Sequence, residues 1–218
     1  MVQVYGSHVR FEHCTFTGTG TGGGGHSLEV KQGGSVEVYN CLFDGSPVED
    51  TVQFGGISGD EHAGHSIIAC SRFEATPGED HLDFKVSEPG AIVDVYDCDF
   101  ITVPPGRTIQ NDGSVGVQNF LRCTGLANIL LENTEAGSII DCEIGEIYLF
   151  DAIDWLVEGN TITKIGHGTS DQTRLPTGIF YRNNVVSNFE HYGNVCWATG
   201  NTPTLTECTA SSPLWYPR

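Results

Sequence analysis

The sequence predicts an all-β protein whose short strands coil and stack as a repeat. Three observations carry this. Between Glu79 and Phe100 lie two runs, LDFKV and IVDVYDCDF, separated by Glu-Pro-Gly, and both alternate with period two. Leu82 and Phe84 face one way, Asp83 and Lys85 the other; Val93 and Val95 alternate with Asp94 and Tyr96. The same two-run unit recurs along the chain, and helical periodicity is absent outside short loops.

Taken in order, the second runs are HVRFEHCTF, SVEVYNCLF, SIIACSRF, IVDVYDCDF, NFLRCTGL, SIIDCEI, WLVEGNTI and FYRNNVV. Each is an alternating run followed by Cys or Asn and then an apolar residue. The resulting ladder is Cys14, Cys41, Cys70, Cys98, Cys123, Cys142, Asn160 and Asn184, with Cys70 and Cys123 one place early. Before most of these comes another strand: VQVYG, SLEVKQ, TVQFGG, HLDFKV, RTIQND, NILLEN and EIYLFD. A coil with about 4.8 Å between successive strands accommodates both series. Residues 17–26 (TGTGTGGGGH) and 166–177 (GHGTSDQTRLPT) read as loops. From about residue 191 the pattern dissolves into an irregular cap over 191–218, with Tyr192, Trp197, Trp215 and Tyr216 covering the open end. The division expected is therefore a solenoid over 1–190 and a capping tail over 191–218.

The chain has 218 residues and a formal net charge of −18, which argues against nucleic-acid and anionic-membrane partners. No apolar run approaches the ~20 residues of a membrane span. The start, MVQVYGSHVRF, lacks a signal peptide's pattern: the protein is not exported, its signal was removed, or the chain is an excised piece. An extracellular or cell-surface location follows from the second case. Strand pattern begins at Val2 with no helix to shield the end, so either the chain is truncated or that end is covered by another subunit, as in a homo-oligomer. No Cys-x-x-Cys pair is present, which excludes the usual structural zinc site.

The recurrent cassette ending N/C-x-F resembles that of the right-handed parallel β-helix group, which includes pectate-lyase-like proteins, over about residues 1–190. The resemblance implies a single right-handed parallel β-helix of about seven to eight turns. In that group Asn commonly fills the turn after the second strand; six Cys stand in its place here, read as a column of reduced thiols. Cys196 and Cys208 lie outside the ladder, where a bridge between them remains an open alternative.

Stacking places residues far apart in sequence side by side. One outward column runs Gln3, Glu29, Gln53, Asp83, Gln110, Leu130 and Tyr148; the next runs Tyr5, Lys31, Gly55, Lys85, Asp112, Glu132 and Phe150. Lys31 and Lys85 are two of only ten Lys and Arg residues, and Gly55 between them is expected to leave a notch. This face is expected to take an acidic polysaccharide or another glycan. Lyase chemistry on a uronate needs a charge partner for the carboxylate and a base for the C5 proton. Lys85 is the candidate base, Lys31 the carboxylate partner, and Asp83 the positioning residue. Asp83 and Asp112 are the candidate ligands for Ca2+, the one cofactor expected. Gln53, Gln110, Tyr148 and Phe150 would contact the sugar. Asp83 and Asp112 also keep a hydrolase open. Further carboxylates precede the first strands at Glu49-Asp50, Asp60-Glu61 and Glu79-Asp80, where stacking of Asp50 and Asp80 would let them share a cation. His62, His65 and His81 are weaker candidates for a transition metal. A plainer reading treats the charges as a solvated face. The competing function is a non-catalytic structural or glycan-binding module of a larger surface or phage protein.

Overall fold

The computed structural model describes residues 1–19, 25–56, 59–85, 87–113, 116–167, 176–190 and 194–197. The described residues contain strands and no helix, and so no helix long and apolar enough to cross a membrane. The strands form three stacks, each parallel throughout. Over the first four rungs the chain visits the first sheet, the second and the third in turn before returning to the first; from Ile109 on it alternates between the first sheet and the second. The first sheet has nine strands: Val2–Tyr5, Leu28–Lys31, Val52–Phe54, Leu82–Phe84, Ile109–Asp112, Leu126–Glu132, Glu143–Phe150, Thr161–His167 and Val185–Glu190. The second also has nine, from His8–Glu12 to Asn194–Trp197. The third has four: Thr15–Thr19, Leu42–Ser46, Arg72–Phe73 and Asp99–Phe100. Among the described residues the first two sheets thus stack nine strands each.

The interior follows from alternation. Leu28, Val52, Leu82, Ile109, Ile129 and Ile147 form one continuous inward column, and Val30, Phe54 and Phe84 begin the next. Because the strands are in register, like side chains meet face to face. Phe16, Phe43, Phe73 and Phe100 stack with successive centroids 4.6, 4.5 and 4.4 Å apart. That separation is close to the strand spacing itself, so each ring rides on its own backbone rung.

The ladder at the turn after the second sheet satisfies backbone donors. The Cys14 N–H donates to Cys41 Sγ, Cys41 N–H to Ser71 Oγ, Cys123 N–H to Cys142 Sγ, Cys142 N–H to Asn160 Oδ1 and Asn160 N–H to Asn184 Oδ1. Ser71, not Cys70, therefore holds the third rung. Cys70 sits one residue earlier at φ 50°, exposed, in the left-handed position that Asn40, Asp97 and Arg122 take on neighbouring rungs. Cys123 is in register; the extra residue is Gly125, at φ 70°, between it and the inward Leu126. The six cysteines from Cys14 to Cys142 are free thiols. The bond with Cys142 works to lower the Cys123 thiol, but the bond with Cys98 and burial more than offset it and push it up to about 12.

The described ends of the two segments that read as loops are strand or buried. Thr15–Thr19 is a strand paired with Leu42–Ser46, and His26 is buried. Strand structure continues to His167 and resumes at Thr177. Residues 20–24 and 168–175, and the side chains of Cys196 and Trp197, lie outside the described residues, as do Tyr192, Cys208, Trp215 and Tyr216. Asn194–Trp197 adds a rung to the second sheet, so strand stacking runs past residue 190.

Candidate glycan-facing site on the first sheet

Register brings the outward residues together as alternation requires. Gln3 pairs with Glu29, Glu29 with Gln53, Gln53 with Asp83, Asp83 with Gln110, Gln110 with Leu130 and Leu130 with Tyr148. Tyr5 pairs with Lys31, Asp112 with Glu132, and Glu132 with Phe150. The backbone bonds Gly55 N–H to Val30 and Lys85 N–H to Phe54 carry the second column through Gly55 and Lys85.

Alternation does not reveal how much of this face is covered. Asp83 is only 1% exposed, and Glu29 and Gln53 are buried. Gly55 is buried as well and sits at φ 78°, so a left-handed backbone, rather than an open notch, calls for glycine there. Gln53 turns back to donate to the Gly55 carbonyl at 3.1 Å.

Both lysines are engaged by carboxylates on their own strands. Lys31 Nζ lies 2.6 Å from Glu29 Oε1, and Gln3 donates to the other Glu29 oxygen at 2.6 Å. Lys85 Nζ lies 2.9 Å from Asp83 Oδ2. The hydrogen bond to Glu29 lifts Lys31 above the usual lysine range. Burial pulls Lys85 down, but the Asp83 bond and the charges of Asp83, Asp50 and Asp112 more than offset it, and its pKa is raised. Asp83 is pushed up to about 7, by burial first and by Asp50 next, against the pull of Lys85. Both amines are therefore held as ammonium ions at neutral pH.

Further along the same face the surface opens into a groove of about 440 Å³, walled by Arg107, Asn128, Leu130, Glu146, Tyr148 and Phe150. Tyr148 and Phe150 lie nearly parallel, 6° apart with centroids at 6.5 Å. Tyr148 Oη donates to Glu146 Oε2 at 2.7 Å, and Lys164 Nζ lies 5.4 Å from the Tyr148 ring centre. Arg107 Nη1 donates to Gln110 Oε1 at 3.1 Å. The groove thus unites two expected residues, Tyr148 and Phe150, with Arg107, Asn128 and Glu146, which were not expected there; Gln110 is tied to it through its bond from Arg107. Glu146 was within reach: extending the alternation of Tyr148 and Phe150 back by two residues puts it on their face. Asn128 carries the same signal, two residues before Leu130 in NILLEN. Arg107 carries none, because it lies in the turn before the strand Ile109–Asp112.

The carboxylates preceding the first sheet stack as well. Leu82 pairs with Val52, which sets Asp80 on Asp50 and Glu79 on Glu49. Asp50, Glu79 and Asp80 each have an oxygen within 4.8 Å of the others. Asp80 is pushed up to about 6 by burial, against the backbone N–H of Arg107, which donates to its Oδ1. Asp112 is exposed, in the outward column next to that of Asp83. The three histidines go separate ways. His62 is buried against Phe54 and bonds Ser66; His81 is buried between Phe73 and Phe100 and bonds Thr51 and the Thr102 carbonyl; His65 is exposed and pairs with Asp94 at 2.7 Å.

No family model, curated protein or solved structure matches this chain.

Proposed function

We propose that the protein is a glycan-binding parallel β-helix, right-handed and of the pectate-lyase-like kind, which takes an acidic polysaccharide along the outer face of its first sheet. The observation that carries this is the groove in which the Tyr148–Phe150 pair stands across from the Arg107 guanidinium. Parallel aromatic faces suit the apolar faces of sugar rings. A guanidinium offers a planar fork of donors to a uronate carboxylate. Glu146, Asn128 and the Tyr148 hydroxyl provide hydroxyl-binding groups between them. Lys31 and Lys85 extend the face as fixed cations about 10 Å apart, two strand spacings along the stack.

Binding is favoured over β-elimination, because abstraction of the C5 proton needs a neutral amine. The carboxylates beside Lys31 and Lys85 work against that form. Affinity electrophoresis through gels containing polygalacturonate, alginate or a neutral glucan tests the reading. Retardation by an acidic glycan is expected, weakened about tenfold in Arg107→Ala, the loss of one charge-assisted contact. Tyr148→Ala is expected to weaken it about threefold through lost stacking. No rise in ultraviolet absorbance from an unsaturated product is expected, with or without Ca2+. Equal mobility in all gels overturns the binding reading; a rise in absorbance that Lys85→Ala abolishes restores the lyase.

A further inference from the structure

We propose that Asp50, Glu79 and Asp80 hold a divalent cation of the Ca2+ class where the chain turns into the first sheet, and that the ion pins the Pro104–Arg107 turn to the solenoid. The proposal goes beyond the glycan reading and does not rest on it.

The donor set comes from register. The Leu82–Val52 pairing stacks Asp80 on Asp50, and one oxygen from each of the three carboxyl groups falls within 4.8 Å of the other two. Asp50 and Asp80 are 2% and 4% exposed, while Glu79 is open to solvent. Two buried carboxylates at this distance repel strongly without a counter-charge. The protein supplies part of it: His26 lies 3.4 Å from Asp50 Oδ2 and 3.2 Å from Glu49. The backbone N–H of Asp80 donates to Asp50 Oδ1, and that of Arg107 to Asp80 Oδ1.

A second observation points to a ligand. Asp83, three residues beyond Asp80, is 1% exposed, and its Oδ1 has no hydrogen-bond partner. It lies on the same two rungs as the group, paired with Gln53 as Asp80 is stacked on Asp50, with its other oxygen on Lys85. A buried carboxylate oxygen without a donor is costly. Ca2+ takes six to eight oxygens, so three carboxylates leave positions for water, and a bound water supplies the donor that Asp83 Oδ1 lacks. An all-oxygen set suits a hard cation rather than Zn2+ or Cu+.

The turn above the cluster is shaped for close approach. A Cβ at Gly106 would lie 2.5 Å from Asp80 Oδ1 and 2.6 Å from the Glu79 carbonyl, so only glycine lets the backbone settle on the carboxyl group. Arg107 follows directly, with its N–H on Asp80 and its side chain in the groove.

Calorimetric titration with CaCl2 after EDTA treatment and dialysis, with no glycan present, tests the proposal alongside thermal melting. One Ca2+ per chain is expected, in the micromolar to millimolar range, with a rise in the melting midpoint at saturating ion. Glu79→Gln is expected to weaken binding tenfold or more while leaving the metal-free midpoint unchanged, since its side chain is exposed. Asp80→Asn should remove the effect, and Asp112→Asn should keep it. Absence of heat and of a midpoint shift overturns the proposal, as does wild-type affinity in Glu79→Gln. Because the readout contains no sugar, failure here and failure of glycan binding are seen separately.

Discussion

His62 shows how a polar side chain can be both necessary and costly. Its Nε2 bonds Ser66 Oγ, which also accepts the Val36 N–H, so the ring helps hold the corner between the first and second sheets. Its Nδ1 has no partner, and burial, with the charge of His65, lowers its pKa from 6.5 to about 4. The unfolded chain takes up a proton below pH 6.5 that the folded chain refuses until about pH 4. The contribution of His62 is therefore full above pH 6.5 and is lost as pH falls toward 4, by roughly 3 kcal/mol in all at 1.36 kcal/mol per pK unit. In urea melts, the stability of the wild type is expected to fall about that much further over this window than that of His62→Gln. Parallel slopes for the two proteins would contradict the assignment. In the sequence His62 read only as a weak candidate for a transition metal, because nothing in DEHAGH signals that the loop folds inward onto Phe54.

At the scale of the element, the unit is the turn that closes the second sheet: a left-handed residue, then a small polar side chain that accepts the N–H of the rung below. Alternation and the terminal Phe made this cassette readable, and seven of the eight ladder positions were placed from it. The third was misread because Cys70 matched the Cys pattern by type. Counting back two residues from Phe73, as from Phe43 and Phe100, reaches Ser71. Chemistry distinguishes the two. Ser71→Ala leaves the buried Cys41 N–H without an acceptor and is expected to cost about 1–3 kcal/mol by denaturant melting. Cys70→Ser, on an exposed turn, should stay within about 0.5 kcal/mol. Alkylation of the native protein, read by peptide mass, is expected at Cys70 and blocked at Cys98, Cys123 and Cys142. Rapid labelling of the buried three would refute the ladder.

For the whole molecule, parallel stacking converts sequence distance into vertical proximity. Both outward columns of the first sheet follow from period-two alternation, because adding one residue to a strand would flip its whole pattern. Coverage did not follow. Alternation assigns a face but carries no information about which segments lie over it, so Asp83, Glu29 and Gln53 read as solvated and are buried. The groove was half legible for the same reason. Tyr148 and Phe150 lie on a strand, whereas Arg107 reaches them from a turn that only the fold positions. The most direct test is a titration of isotopically labelled protein with an acidic oligosaccharide, followed by amide and side-chain NMR shifts. Arg107, Gln110, Glu146, Tyr148 and Phe150 are expected to move together and saturate at one concentration, while Asp94, Tyr96 and Asn119 on the second sheet stay fixed. Shifts confined to one contiguous stretch of chain, or centred on the second-sheet residues, would contradict the account.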